Sequence, residues 1–416
     1  MLWSMTGTAV RGRSVAAAAA LVVTVAVTAG PEPARDAPTL YPDRVVLTPT
    51  ADPATSQAVT WRTSENAAGA DAEIRKVDDG STRLVVADTS RAYTADGSAA
   101  RAHTAVFDDL DPATSYTYRV GDGMHWSDWS EFTTAAASPE PFTFVYLGDA
   151  QTGLREAWAA LVEAAVADEP DARLWLHAGD LVNDAGTDPQ WGAWFDSLAP
   201  AATTALMVAS AGNHDHRDPD RVSRNWQPQF AFPGNGPDGV PDETVYHVDY
   251  QGARFVVLNS NTALDEQAVW LDDVLAENPG RWSVVVFHHP VFSTAEGRDN
   301  PEVRDAWLRV LEDHDVDLVL QGHDHTYGRG QQSENGPVYV ISVAGSKMYD
   351  LGDPEETWAA HGAELQHSAE DVQTYQVIDV DGDTMRYEAR RMSGDVEDAF
   401  TIVRNGDGKR MLEGER

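Results

Sequence analysis

No cysteine occurs among the 416 residues, so disulfide bonds and thiolate metal sites are both excluded. Any zinc, iron or manganese must be held through nitrogen and oxygen. Lysine is scarce, at Lys76, Lys347 and Lys409 alone, and arginine supplies the rest of the 30 basic residues. Set against 67 acidic residues, they leave a net charge of −37. A surface of that sign repels phosphate polyanions, so stable nucleic-acid binding is not expected. The same repulsion meets any phosphate-bearing substrate, and bound metal ions are the natural local source of positive charge. Beyond residue 30 no apolar run is long enough to span a bilayer.

At the N-terminus, Arg11 and Arg13 precede an apolar run at 15–29, the small residues Ala29 and Gly30, and a Pro-rich stretch at 31–38. That order predicts a secretory signal over 1–30 and a linker over 31–40. It implies a secreted or extracytoplasmic protein with no membrane attachment after cleavage. A hydrophobic content of 42% and this length suit a globular chain of more than one domain.

Residues 41–135 alternate over short runs, at 44–47, 58–62, 72–77, 103–107 and 115–120. Turn residues such as Asp78, Asp79 and Gly80 separate them, which predicts a small all-β sandwich. From 141 to 404, strand-like runs alternate with helical ones, the pattern of α/β architecture. Leu154, Trp158, Leu161, Val162 and Ala165 fall on one helical face, and Leu264, Ala268, Leu271 and Leu275 on another. A third helix is expected to start with Asn300 as N-cap and Pro301 at its first position, burying Ala306, Trp307 and Val310. Residues 405–416 read as a frayed polar tail. The oligomeric state is not specified.

Five motifs carry the chemistry: Gly148-Asp149, Gly179-Asp180, Gly212-Asn213-His214-Asp215, His288-His289 and Gly322-His323-Asp324-His325. Each follows an apolar, strand-like run, at 142–147, 173–178, 204–211, 282–287 and 316–321. Asp149 and Asp180 follow a glycine that lets the backbone turn sharply, and a carboxylate can bridge two cations. Asn213 offers a neutral oxygen, and His288, His323 and His325 offer imidazole nitrogens. Six ligands of this mixed type suit two ions among iron, zinc and manganese. Two ions about 3.5–4 Å apart hold a phosphoryl group and create a hydroxide at neutral pH. Two further histidines are read as structural: His247 in a strand, and His177 as a hydrogen-bonded core residue.

The order and spelling of the motifs resemble the calcineurin-like metallophosphoesterases. Trp61 and the run Leu110-Asp111-Pro112-Ala113-Thr114-Ser115-Tyr116 resemble a fibronectin type III domain, with Trp61 and Tyr116 in its core. Trp126-Ser127-Asp128-Trp129-Ser130 is similar to a stacked aromatic motif of receptor sandwiches, read here as edge packing. With such a domain in front, the chain looks most like a purple acid phosphatase. The resemblance implies a pair of mixed sheets flanked by helices. It implies one metal on Asp149, Asp180 and His325, and a second on Asp180, Asn213, His288 and His323, with Asp180 bridging. It implies that His214 contacts the phosphate of a small phosphate-ester substrate and acts as general acid to the leaving group after metal-hydroxide attack.

The chain departs from that pattern at three places. Purple acid phosphatases have a tyrosine three positions after the bridging aspartate, whose charge transfer to iron gives the colour; here it is Asn183. Where the wider superfamily often has histidine, two after the first aspartate, stands Gln151. Both are read as a substitute ligand or as support to one. The loop at 291–300 has no histidine, so His289, His216 or Arg298 is the candidate for substrate binding. Phosphomonoester hydrolysis is the expected activity. A phosphodiesterase or nucleotidase with the same metals, and a non-catalytic secreted binding protein, are the alternatives.

Overall fold

Alternating burial along the first strands folds the N-terminal segment into two antiparallel sheets. The computed structural model describes residues 37–414, apart from 96, 219 and 407, so the expected signal at 1–30 lies outside the described residues. One sheet has the order Asp43–Thr48, Gln57–Ser64, Ser98–Phe107, Thr89–Ala95, and the other Arg83–Val86, Asp71–Lys76, Ser115–Gly121, Ser130–Thr133. Trp61, Phe107, Tyr118 and Phe132 fill the space between them. Tyr116 is buried too, and its hydroxyl accepts the Asp111 N–H at 2.9 Å, pinning the corner between strands. On the outer face Arg75 lies over Trp129, and Arg119 lies over both Trp126 and Trp129, at 4.3–4.8 Å from the ring centres.

The remainder is two seven-stranded mixed sheets packed face to face. The first runs Leu206–Ser210, Leu174–Ala178, Phe142–Leu147, Thr374–Asp381, Thr384–Arg391, Val396–Asn405, Gly408–Glu413. The second runs Tyr246–Tyr250, Ala253–Val257, Trp282–Val286, Leu318–Gln321, Val338–Ile341, Tyr327–Gln331, Glu364–Ala369. The parallel strands, at one end of the first sheet and in the middle of the second, are buried along almost their whole length, because neighbouring layers cover both faces. Phe144 meets Phe255 edge-on at 5.3 Å between the sheets, and the Tyr146 hydroxyl donates to the Gln321 carbonyl across the same gap. The helices Ala157–Asp168 and Asp188–Ala202 join the core of the first sheet. The helices Leu264–Ala276 and Pro301–Asp313 cover the second. Among the described residues no helix is long and apolar enough to cross a membrane.

Several local expectations change. Asn300 does precede a helix opening on Pro301, but its side chain does not cap it. It donates instead to the Pro290 carbonyl and the Ser293 hydroxyl, tying down the loop that follows His288-His289. That helix buries Val303, Arg304, Trp307 and Leu311, and leaves Ala306 and Val310 half-buried. Its face is turned because Arg304 folds inward onto Asp299 and the Val291 carbonyl. Helix Leu264–Ala276 likewise buries Gln267 and Val274 beside Leu271 and Leu275. The segment read as a frayed tail is the edge strand Gly408–Glu413, paired along Val396–Asn405. Its inward residue is Lys409, whose ammonium is buried against the Asp315 and Val316 carbonyls, so the strand pattern was masked by a charge. His177 is a core residue, but among the described residues its Nε2 has no partner; the ring sits against Trp158 and Trp194 instead.

Candidate metal centre

The ends of parallel strands from both sheets meet at one edge of the sandwich of sheets. Asp149 follows Phe142–Leu147, Asp180 follows Leu174–Ala178, and Asn213 follows Leu206–Ser210. From the second sheet come His288 after Trp282–Val286, and His323 and His325 after Leu318–Gln321. Ligand-bearing side chains at the carboxyl ends of strands are a general consequence of this layering.

The backbone bends at the candidate ligands themselves. Asp149, Asp180, His323 and His325 all have positive φ, of 31°, 51°, 73° and 52°. Such left-handed non-glycine residues cost roughly 1–3 kcal/mol each and persist where their surroundings over-determine them. Gly179 makes the expected turn, with a φ of 84°, whereas the glycines of the later motifs serve another purpose. A Cβ on Gly212 would stand 2.2 Å from Asp180 Oδ1, and one on Gly322 would stand 2.2 Å from Asp149 Oδ1. Both carboxylates therefore rest against bare backbone. In return His214 N donates to Asp180 Oδ1 at 2.8 Å, and His323 N donates to Asp149 Oδ1 at 2.7 Å.

Hydrogen bonds on the far side of each ring set its tautomer. His288 Nδ1 donates to the Ala178 carbonyl at 2.9 Å, and His325 Nδ1 to the Lys347 carbonyl at 2.9 Å. Each Nε2 is thereby left to face the site. His288 Nε2 lies 3.1 Å from Asn213 Oδ1, 3.1 Å from His323 Nδ1 and 3.4 Å from Asp180 Oδ2. His325 Nε2 lies 3.3 Å from Asp149 Oδ2. That oxygen is buried and, among the described residues, has no hydrogen-bond partner. Asp149, Asp180 and His325 form one group with ligand atoms within 4.8 Å of one another, and His288, His289 and His323 form a second. Nitrogen and oxygen donors crowded around an orphaned carboxylate oxygen fit bound cations.

The electrostatics are those of two carboxylates held close in a dry pocket. Burial, reinforced by Asp180, pushes Asp149 up to about 7. Burial acts the same way on Asp180, but the charge of His288 outweighs it and holds Asp180 below the usual range. Burial works against a charge on His288, yet Asp180 and Asp149 raise it to about 9. Burial together with His288 and His289 drives His323 far below its ordinary value. One imidazolium thus compensates the carboxylates, the task a cation would take over.

The remaining candidates divide. Gln151 is buried and donates from Nε2 to Asp180 Oδ2 at 2.6 Å, while Lys347 Nζ donates to its Oε1 at 3.2 Å. Its amide nitrogen, not its oxygen, faces the carboxylates, which suits support of Asp180. Asn183 is exposed, and its carbonyl accepts from His214 Nδ1 at 2.6 Å. His289 stacks near His323 at 4.2 Å between ring centres, its Nδ1 bonded to the Ser260 hydroxyl at 2.8 Å. Arg298 donates to the His323 carbonyl and lies over Tyr349, whose ring also meets His325. His216 lines a cavity of about 580 Å³ that Asn213 and His289 also line.

Three supporting residues escaped the motif reading. Asp215 accepts from Gly212 N at 2.9 Å and Leu181 N at 3.3 Å, joining two ligand loops, and burial pushes it up to about 8. Asp324 takes the Thr294 N–H at 2.6 Å. Both stand inside the motifs, so their position was visible although their role was not. Lys347 had no local signal.

Comparison with known proteins gives concordant results. Residues 42–134 match the family described as purple acid phosphatase, N-terminal domain, and residues 142–327 match calcineurin-like phosphoesterase. The chain is 24% identical to probable inactive purple acid phosphatase 27 of Arabidopsis thaliana, over 73% of this chain and 58% of that protein. It is 26% identical to purple acid phosphatase 15 of the same plant, over 56% and 51%. The chain thus spans about half the length of these curated relatives. The purple acid phosphatase PPD1 of yellow lupin shares the fold, with a TM-score of 0.73 at 18% identity over 88% of this chain and 75% of that one.

Proposed function

Since the chain belongs to the calcineurin-like phosphoesterases and carries a purple acid phosphatase N-terminal domain, we propose that it hydrolyses phosphomonoesters at a two-cation centre. One observation carries the reading: His323 Nδ1, Asn213 Oδ1 and Asp180 Oδ2 all lie 3.1–3.4 Å from His288 Nε2, beside Asp149 Oδ2, which has no hydrogen-bond partner among the described residues. In this reading Asp149, Asp180 and His325 hold one cation, and Asp180, Asn213, His288 and His323 hold the other. Iron, zinc or manganese suits such donors. When bound, ions of this kind supply Lewis acidity to a phosphoryl oxygen and lower the pKa of water.

The chain's own groups do the rest. His214 keeps its Nδ1 proton on the Asn183 carbonyl, so Nε2 is the atom that donates to the departing alcohol oxygen. Gln151 holds Asp180 Oδ2 in place, and Lys347 holds Gln151. Arg298 and His289, both against His323, border the substrate. The charged N-terminus and apolar run at 15–29 support export, which sequencing the N-terminus of the protein recovered outside the producing cell would test.

Three relatives are called inactive, so the deciding experiment joins metal content to turnover. Elemental analysis of the purified protein is expected to give two transition-metal ions per chain, with p-nitrophenyl phosphate hydrolysed faster than bis-p-nitrophenyl phosphate. Faster cleavage of the diester would replace the reading by a phosphodiesterase. Metal-free protein without turnover, even after reloading, would replace it by a binding protein.

A further inference from the structure

An arginine cluster adjoins the metal centre in a chain whose net charge is −37. Arg217, Arg221 and Arg224 line a cavity of about 590 Å³, together with His216, Asp184 and Ser223. His216 and Arg217 also line the cavity of about 580 Å³ that reaches Asn213 and His289. The two spaces therefore adjoin across that pair, one bordering the proposed metal ligands and the other bordered by arginine.

These cations are not spent on neighbouring acids. Among the described residues neither Arg217 nor Arg224 has a carboxylate within ion-pair distance, and Arg221 has only an exposed contact to Asp218 at 3.7 Å. Several arginines elsewhere are tied to carboxylates, as Arg44, Arg62, Arg304, Arg329 and Arg390 are. The arginines are also held in register with the metal loop. Residues His216–Asp218 and Arg221–Val222 form a hairpin that continues Gly212-Asn213-His214-Asp215. Ser223 N closes its base on the Asp215 carbonyl at 2.9 Å, and Ser223 Oγ donates to the Ala185 carbonyl at 3.0 Å. Two guanidinium groups on one anchored hairpin, with Arg224 just past its base, match the forked geometry with which arginine takes phosphate.

We propose that Arg217, Arg221 and Arg224 form a second anion subsite, which selects small molecules carrying a phosphate group beyond the one that is cleaved. The proposal rests on the phosphoesterase reading for the first group and names the substrate class within it. A nucleoside polyphosphate and a sugar bisphosphate both present that chemistry.

The test uses the full metal-loaded chain and the variant R217S/R224S, with R224E as a second variant. The ratio of kcat/KM for ATP or fructose 1,6-bisphosphate to kcat/KM for p-nitrophenyl phosphate is expected to fall about tenfold or more in both variants. A fall for one of the two substrates identifies the source of the second phosphate. An unchanged ratio for both overturns the subsite. A binding arm separates this from the catalytic reading. By calorimetry, β,γ-methylene-ATP is expected to bind the wild type more tightly than methylphosphonate does, with the preference lost in the variants. If the wild type turns over nothing yet shows that preference, the hydrolase reading falls and the subsite stands. If turnover is normal and the preference survives substitution, the subsite falls alone.

Discussion

His214 divides its two ring nitrogens between structure and chemistry. Nδ1 is fixed 2.6 Å from the Asn183 carbonyl, and the backbone N–H of the same residue supports Asp180. Replacing the ring leaves that N–H and all six proposed ligands in place. His214→Ala should therefore lower kcat for p-nitrophenyl phosphate by about 10²–10⁴-fold while elemental analysis still finds the wild-type metal content; loss of metal would make it a ligand instead. His177 makes the opposite case, a histidine with no chemistry. Burial pushes it down to about 3, and among the described residues its Nε2 has no partner. Above pH 6.5 both folded and unfolded chains hold it neutral. Below that, the unfolded chain takes a proton the folded one refuses, so stability falls as pH drops from 6.5 towards 3. In His177→Leu the loss between pH 7 and 4.5, measured by urea unfolding, should shrink by about 2 kcal/mol. The side chains at 149, 180, 213, 288, 323 and 325 were legible as one cluster because each stands within four residues of the end of an apolar run. Lys347 was not, because its partner Gln151 is distant in sequence and only the closed fold brings them together.

At the scale of strand and loop, the ligand-bearing bends are the feature that the sequence disguised. Glycine before aspartate suggested a sharp turn, and Gly179 makes one with a φ of 84°, but left-handed positions fall also on Asp149, Asp180, His323 and His325. Gly212 and Gly322 matter for what they leave empty, since each has a carboxylate oxygen where a Cβ would be. Gly322→Ala must displace Asp149, and Gly212→Ala must displace Asp180. Each is expected to lose metal while the far-ultraviolet circular dichroism stays native. Gly234→Ala, which meets nothing within 4 Å, should keep its full metal content. Equal metal loss in all three would mean that the collision is not the cause. The helices were legible as elements but not in their facing. Periodicity in apolar residues cannot anticipate that Arg304 and Gln267 turn inward to satisfy loop carbonyls and amides.

Across the whole molecule, the sandwich and the two-sheet domain are joined by buried charge. Both domains were readable from their hydrophobic periods, alternating in the first and strand–helix in the second. The joint was not, because it depends on pairing Arg44 and Arg62 with an aspartate more than a hundred residues away. Asp188, in the first turn of helix Asp188–Ala202, receives both Arg44 and Arg62 at 2.8 Å, and all three side chains are almost fully buried. Burial works against the charge of Arg62, but the hydrogen bond and charge of Asp43, with Asp188, hold it above its ordinary value, so it cannot shed its proton to escape. Arg44 adds strain to the same place, since its φ is 52°. Removing one partner of a buried ion pair strands the other in a medium that cannot solvate it, which costs about 3–5 kcal/mol. Asp188→Ala leaves Arg44 bonded to the carbonyl of residue 188 but without its carboxylate, and takes one of two carboxylates from Arg62, which keeps Asp43. The variant should therefore lose about 3–5 kcal/mol by urea unfolding, and limited proteolysis should cut first between the sandwich and the two-sheet domain, near 135–141. A loss below about 1 kcal/mol, the size of an exposed pair, would mean that the apolar contacts between the domains carry the joint and that the three charges are incidental to it.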